Sequence, residues 1–244
     1  MKTFNKLICA VAVLGLAGTA QAAKYKEIDV ADGGSISGSL SAGAAENESK
    51  TYTISKDPEI CGEGTRDVNF VRVNDGMLQD AVVFLSKVDE GKAFAPDLAS
   101  LTLTQEGCEF LPFLGVMAYT GDLTAVNSDN TLHNIHTYEQ IGKARRTVMN
   151  VSQPNAGDEV TKAVKLRKGN GMKIECDAHD FMHSFVFVAR NPYFAVVDEA
   201  GSFTIEDIPA GSYEVMVWHG FLGEIEGGTV EVTAGGVATV DLSY

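Results

Sequence analysis

The sequence has 244 residues, 45% of them hydrophobic and 21% charged, with 33 acidic against 19 basic side chains and a formal charge of −14. Such a length supports a sizeable buried core in one large or two small domains, and the composition is not that of a disordered chain. The acidic balance argues against a nucleic-acid partner, because phosphate binding needs a basic surface.

Residues 1–22 read as an export signal: Lys2 and Lys6, an apolar run from Leu7 to Leu16, then Ala20-Gln21-Ala22 with small residues where a signal peptidase cuts. The mature chain is expected to begin near Ala23 and to reside in the periplasm or another extracytoplasmic space. The apolar run is too short to span a bilayer, and no later stretch approaches the needed length, so no membrane span is expected in the mature chain. Retention of the leader as an anchor is the alternative.

Residues 23–97 form an N-terminal β segment, with strand patterns at Gly34-Ser35-Ile36-Ser37-Gly38, Asp67-Val68-Asn69-Phe70-Val71-Arg72-Val73 and Asp80-Ala81-Val82-Val83-Phe84-Leu85. A small polar loop occupies 39–50, and Val88 to Pro96 reads as a loop that ends the segment. Similar β-branched and aromatic runs between Gly, Asn and Asp punctuation recur to the C-terminus, while no long 3.6-period stripe closed by helix caps occurs. The fold class is therefore all-β, with two sandwiches or barrels.

Four cysteines are present. Loss of the leader with Cys9 leaves Cys61, Cys108 and Cys176, an odd set for a compartment that favours disulfides. Cys61 and Cys108 lie in turn-like contexts beside glycines, whereas Cys176 stands among His and Met. A Cys61–Cys108 disulfide and a free Cys176 are expected.

Residues 98–190 hold the chemistry. Within Cys176-Asp177-Ala178-His179-Asp180-Phe181-Met182 a thiol, an imidazole and a thioether fall inside seven residues. Soft sulfur with imidazole selects copper, and two His, one Cys and a weak axial Met make the blue-copper set. The second imidazole must come from a distant strand, and His133 in Leu132-His133-Asn134-Ile135 is the candidate. Leu132-His133-Asn134-Ile135 resembles the first-ligand segment of plastocyanins, and the Cys-x-x-His-x-x-Met spacing resembles the amicyanin ligand loop; both are cupredoxins.

The resemblance implies a Greek-key sandwich holding one mononuclear copper ion, with His133, Cys176 and His179 equatorial and Met182 axial. It implies that Asn134 ties the two ligand segments together and tunes the thiolate. It also implies electron transfer to a redox protein partner, through an exposed His edge, and not catalysis.

Other donors qualify this picture. His136, separated from His133 by two residues, falls on the opposite strand face, with a one-step register change as the alternative. His183, Asp177 and Asp180 offer either a second, weaker site or a more polar copper environment; zinc on Cys176, His179 and His183 is chemically allowed, though Met suits it poorly. Glu139 is either a carboxylate ligand of a red-copper centre or, as the favoured reading, a solvated strand end. His136 and His183 are expected in loops or exposed, and His219 in a structural hydrogen bond.

Phe181 and Phe185 make either an apolar docking patch or core. The basic runs Lys143-Ala144-Arg145-Arg146 and Lys162 to Lys168 make either a docking patch or edge-strand protection.

Arg190-Asn191-Pro192 marks a turn, and residues 191–244 resemble the carboxypeptidase regulatory-like, transthyretin-like sandwiches. Those sandwiches begin with strands like the ones found before residue 90, so the central module is either inserted in a discontinuous outer domain or the middle of a tandem. Three roles follow: an electron carrier, a copper delivery or storage protein, or a metal-free β-sandwich interaction module.

Overall fold

A computed structural model describes residues 25–244, and the expected signal at 1–22 lies outside these residues. Strands dominate, and the described helices are single turns at Pro58–Cys61 and Pro96–Ala99. No described helix is long and apolar enough to cross a membrane.

Four sheets make two sandwiches. The inner one stacks the strands Glu109–Leu111, Ser100–Glu106, Asp122–Asn127 and Glu159–Ala163 on a second sheet. That sheet runs in the order Leu114–Ala118, His183–Ala189, Gly171–Glu175, His133–Ile141 and Ala144–Gln153. Leu103, Leu123 and Ala125 from the first sheet meet Met117, Ile135, Ile174 and Val186 from the second.

The outer sandwich uses both ends of the chain. Gly34–Ser41 pairs antiparallel with Ser202–Ile208 and parallel with Val237–Thr239, while Ala81–Ser86 lies between Phe194–Val196 and Gly211–His219. Strands from before residue 90 and after residue 190 thus share both outer sheets, with the inner sandwich between them in sequence.

Two strands show why the apolar runs are continuous where they are. In Ala81–Ser86, Val83 and Leu85 belong to the outer core and Val82 and Phe84 to the inner one. Side chains alternate between sheet faces, so a strand covered on both faces needs apolar residues at every position. His183–Ala189 is buried in the same way, and its Phe187 ring packs against Phe84 and Trp218 at centroid distances of 5.1 and 5.6 Å. Burying one such ring contributes about 1.5–3 kcal/mol.

The approach of the two units is tight: a Cβ at Gly171 would stand 2.4 Å from the Trp218 ring.

One hairpin belongs to neither sheet pair. Glu48–Thr53 and Thr65–Val71 pair only with each other, and the turn Pro58–Cys61 sits between them. Tyr52, Cys61 and Phe70 from this hairpin are buried in the inner core. Its tip is tied down by a Cys61–Cys108 disulfide, and among the described residues Cys176 is the free cysteine.

Candidate metal centre

Strand register brings the ligand segments together. His136 pairs antiparallel with Glu175, so stepping back to His133 runs the same way as stepping forward from Glu175 into the Cys176–Met182 loop. That loop joins the neighbouring strands Gly171–Glu175 and His183–Ala189 and closes on itself through the Met182 N–H donating to the His179 carbonyl at 3.1 Å. His133, Cys176 and His179 consequently place a ligand atom each within 4.8 Å of one another, all buried. Met182, 1% exposed, lies in the same turn.

The two imidazoles face each other through Nδ1, 3.2 Å apart, and the Cys176 Sγ lies 3.8 Å from His179 Nδ1. Each ring is held from behind. His133 Nε2 meets the Asp129 carboxylate at 2.8 Å, and His179 Nε2 meets that of Asp57 at 2.9 Å. Ionised carboxylates only accept, which assigns the hydrogen of each ring to Nε2, and in that tautomer the two Nδ1 lone pairs turn to one point.

Such an arrangement has room for a cation between the rings. Metal–nitrogen bonds of about 2.0–2.1 Å span a 3.2 Å separation comfortably. The donor set therefore fits a soft transition metal on the evidence of its own hydrogen bonding.

The His133 ring agrees with this, whereas burial disfavours the Cys176 thiolate. Burial lowers the pKa of His133 and outweighs the opposing pull of Asp129, so the ring is disposed to be neutral. Burial also raises Cys176, although the backbone N–H groups of Asn134, His179 and Ala178 point toward its sulfur. The hydrogen bond to His179 holds Asp57 below the ordinary carboxylate range. Burial alone would raise Asp129, but the Cys108 N–H, His133 and the Gly107 N–H together bring it below its ordinary value.

Asn134 sits where the ligand segments meet. Its backbone N–H approaches Cys176 Sγ at 3.4 Å, its Oδ1 accepts the Asp177 N–H at 2.6 Å, and its Nδ2 donates to Asn150.

Several expectations are corrected. Glu139 is neither ligand nor solvated: it is 0% exposed, ion-paired with Arg146 at 2.6 Å, and accepts the N–H groups of Arg167, Lys168 and Gly169. His136 is half-buried on the opposite face, with Nδ1 3.0 Å from Asp177, and its ring stacks on Tyr138. His183 is also half-buried, and its Nε2 meets the Tyr52 hydroxyl at 3.0 Å.

Phe181 and Phe185 are core residues, 4% and 3% exposed. Arg146 engages Glu139 on the adjacent strand, Arg145 reaches across that strand to Glu175, and Lys162 donates to the Val148 carbonyl of the facing sheet. The expected open His edge is absent, since His179 is 1% exposed beneath Asp57.

Two residues of the centre were not anticipated. Asp129 lies four positions before His133 and, read as sequence, is one polar residue in a turn. Asp57 belongs to the separate hairpin; the Asp57-Pro58 pair signals a turn or helix start but carries no sign of a distant imidazole.

Residues 179–240 match the family model described as polysaccharide lyase family 4, domain II. No curated protein matches the chain.

Among solved structures, the chain is similar to a copper-containing nitrite reductase from Thermus scotoductus SA-01. The identity is 17%, the match covers 40% of this chain and 24% of that one, and the TM-score is 0.30. A purple cupredoxin from Nitrosopumilus maritimus matches at 17% identity over 36% of this chain and 98% of that one, with a TM-score of 0.31. Amicyanin from Paracoccus versutus matches at 15% identity over 37% and 81%, with a TM-score of 0.30.

Proposed function

We propose that this chain is an extracytoplasmic type 1 copper protein that carries electrons to or from a redox protein partner. One copper ion is held by His133, Cys176 and His179, with Met182 as the axial ligand. The carrying observation is the pair of imidazole Nδ1 atoms 3.2 Å apart beside a buried free thiol, each ring backed by a carboxylate.

Bound copper supplies one-electron chemistry between its two oxidation states. The protein contributes a dry, prearranged donor set: Asp129 and Asp57 fix the tautomer and orientation of the two rings, and Asn134 anchors the Cys176 loop. Ligands that are fixed before the electron arrives need little rearrangement afterwards. The burial of all four ligands favours a carrier over a delivery protein, which must surrender its ion to an acceptor. The Cys61–Cys108 disulfide supports an oxidising compartment.

Copper titration of the purified full chain tests this. One equivalent binds and produces an intense visible charge-transfer band, which Cys176→Ser abolishes. One equivalent of copper without that band overturns the assignment.

A further inference from the structure

The hairpin tip from Asp57 to Cys61 covers the outer edge of His179 and is fastened there twice. Asp57 stands at the N-cap of the Pro58–Cys61 turn with φ of 48°, yet its carboxylate makes no cap hydrogen bond. It reaches His179 Nε2 instead. Side-chain capping is the ordinary use of Asp at this position, so the carboxylate is diverted from stabilising its own turn.

Four residues later Cys61 is bonded to Cys108, and both sulfurs lie within 4.8 Å of a His179 ring nitrogen. Cys108 in turn donates its N–H to Asp129, the carboxylate behind His133. Arg66, on the returning strand, donates to the carbonyls of Cys61 and Cys108 and lies over the Phe181 ring. The disulfide thus links the tip above one imidazole to the turn that supports the other.

We infer that Asp57 is the positioning residue for His179 and that the 57–61 tip, latched by Cys61–Cys108, is a closed cover that shields this ligand from solvent and from solutes. The inference rests on the copper reading for its effect on the metal, but the cover itself is a property of the metal-free chain. A carboxylate on the far nitrogen makes the imidazole a stronger donor and adds negative charge near the ion, which favours the more positive oxidation state. The latch keeps that carboxylate in place and water out.

Two measurements on the full chain test it. In the metal-free protein, diethyl pyrocarbonate modification is read histidine by histidine by peptide mass. His179 is expected to react slowly with the disulfide intact, and about tenfold or more faster in Cys61→Ser/Cys108→Ser. If that double variant does not fold, phosphine reduction of the folded wild type gives the same comparison. Equal His179 reactivity with the disulfide intact and open overturns the cover.

In the copper-loaded protein, Asp57→Ala is expected to keep the charge-transfer band, to bind copper about 10–100-fold more weakly, and to show a higher reduction potential, with Asp57→Asn intermediate. Unchanged affinity and potential in both variants overturn the positioning role. Absence of the band in wild type defeats the copper reading and with it the positioning role, and leaves the reactivity comparison to decide the cover.

Discussion

The backbone amide of Asn134 lies 3.4 Å from the Sγ of Cys176, on the residue immediately after one imidazole ligand and 42 positions before the thiol. The same residue accepts the N–H of Asp177, so one side chain clamps the loop at the point where Cys176 leaves its strand. Asn134→Ala removes the side-chain clamp and leaves the amide. Copper affinity should fall about tenfold, as for other groups that orient ligands, and the visible band should shift in energy without disappearing. Absorption spectroscopy of the loaded variant, with a chelator competition, checks both.

Glu139 concentrates five hydrogen bonds on one buried carboxylate, two from Arg146 and three from the turn at 167–169. Glu139→Ala leaves the three N–H groups and the part-exposed guanidinium without their acceptor, a loss of about 1–3 kcal/mol as for unsatisfied buried donors. Chemical denaturation should show a lower midpoint, whereas the position of the charge-transfer band should not move. A displaced band would mean that this carboxylate reaches the metal centre.

His219 is 1% exposed and accepts the N–H groups of Phe221 and Leu222 through Nδ1. Burial pushes its pKa down to about 4. In the unfolded chain the ring titrates near its ordinary value of about 6.5, so between those values the unfolded state binds more protons and stability falls as pH drops. At full effect, at and below pH about 4, this one ring costs about 3 kcal/mol. His219→Phe also deletes the acceptor of two N–H groups, so it lowers stability at pH 7. It should nevertheless flatten the decline between pH 6.5 and 4 in denaturation curves taken across that range.

Gly171 begins the strand that leads to Cys176, and its missing side chain is where Trp218 of the outer sandwich rests. Gly171→Ala forces the indole to move, and overpacking of this kind costs about 1–3 kcal/mol. Trp218, the single tryptophan of the chain, reports the change directly through its fluorescence. An unaltered spectrum together with unaltered stability would refute the close contact.

What the sequence makes legible follows from how far each interaction reaches. Cys176, His179 and Met182 sit in one loop, so their chemistry appears as spacing. His133 is recognisable through the asparagine that follows it. Continuous apolar runs such as Ala81-Val82-Val83-Phe84-Leu85 announce strands covered on both faces, though the run alone cannot say by what.

Asp57 meets His179 across 122 positions, and a carboxylate in a polar turn looks the same whether or not a distant ring needs it. Glu139 misleads for the opposite reason. It occupies an alternating strand and looks solvated until the neighbouring strand brings Arg146 and the 167–169 turn brings three N–H groups. Periodicity reports which face a residue occupies, and partners on other strands decide whether a charge on that face is buried.

The interleaved outer strands set an order of assembly. All strands of the inner sandwich are present once residue 189 has been made, whereas Gly34–Ser41 and Ala81–Ser86 wait for partners at 202–208 and 211–219. A chain emerging from its N-terminus can thus complete the ligand-bearing unit while Gly34–Ser41 and Ala81–Ser86 still lack these later partners. Contacts distant in sequence are slow to form, so the outer strands should close last, around a core that is already formed.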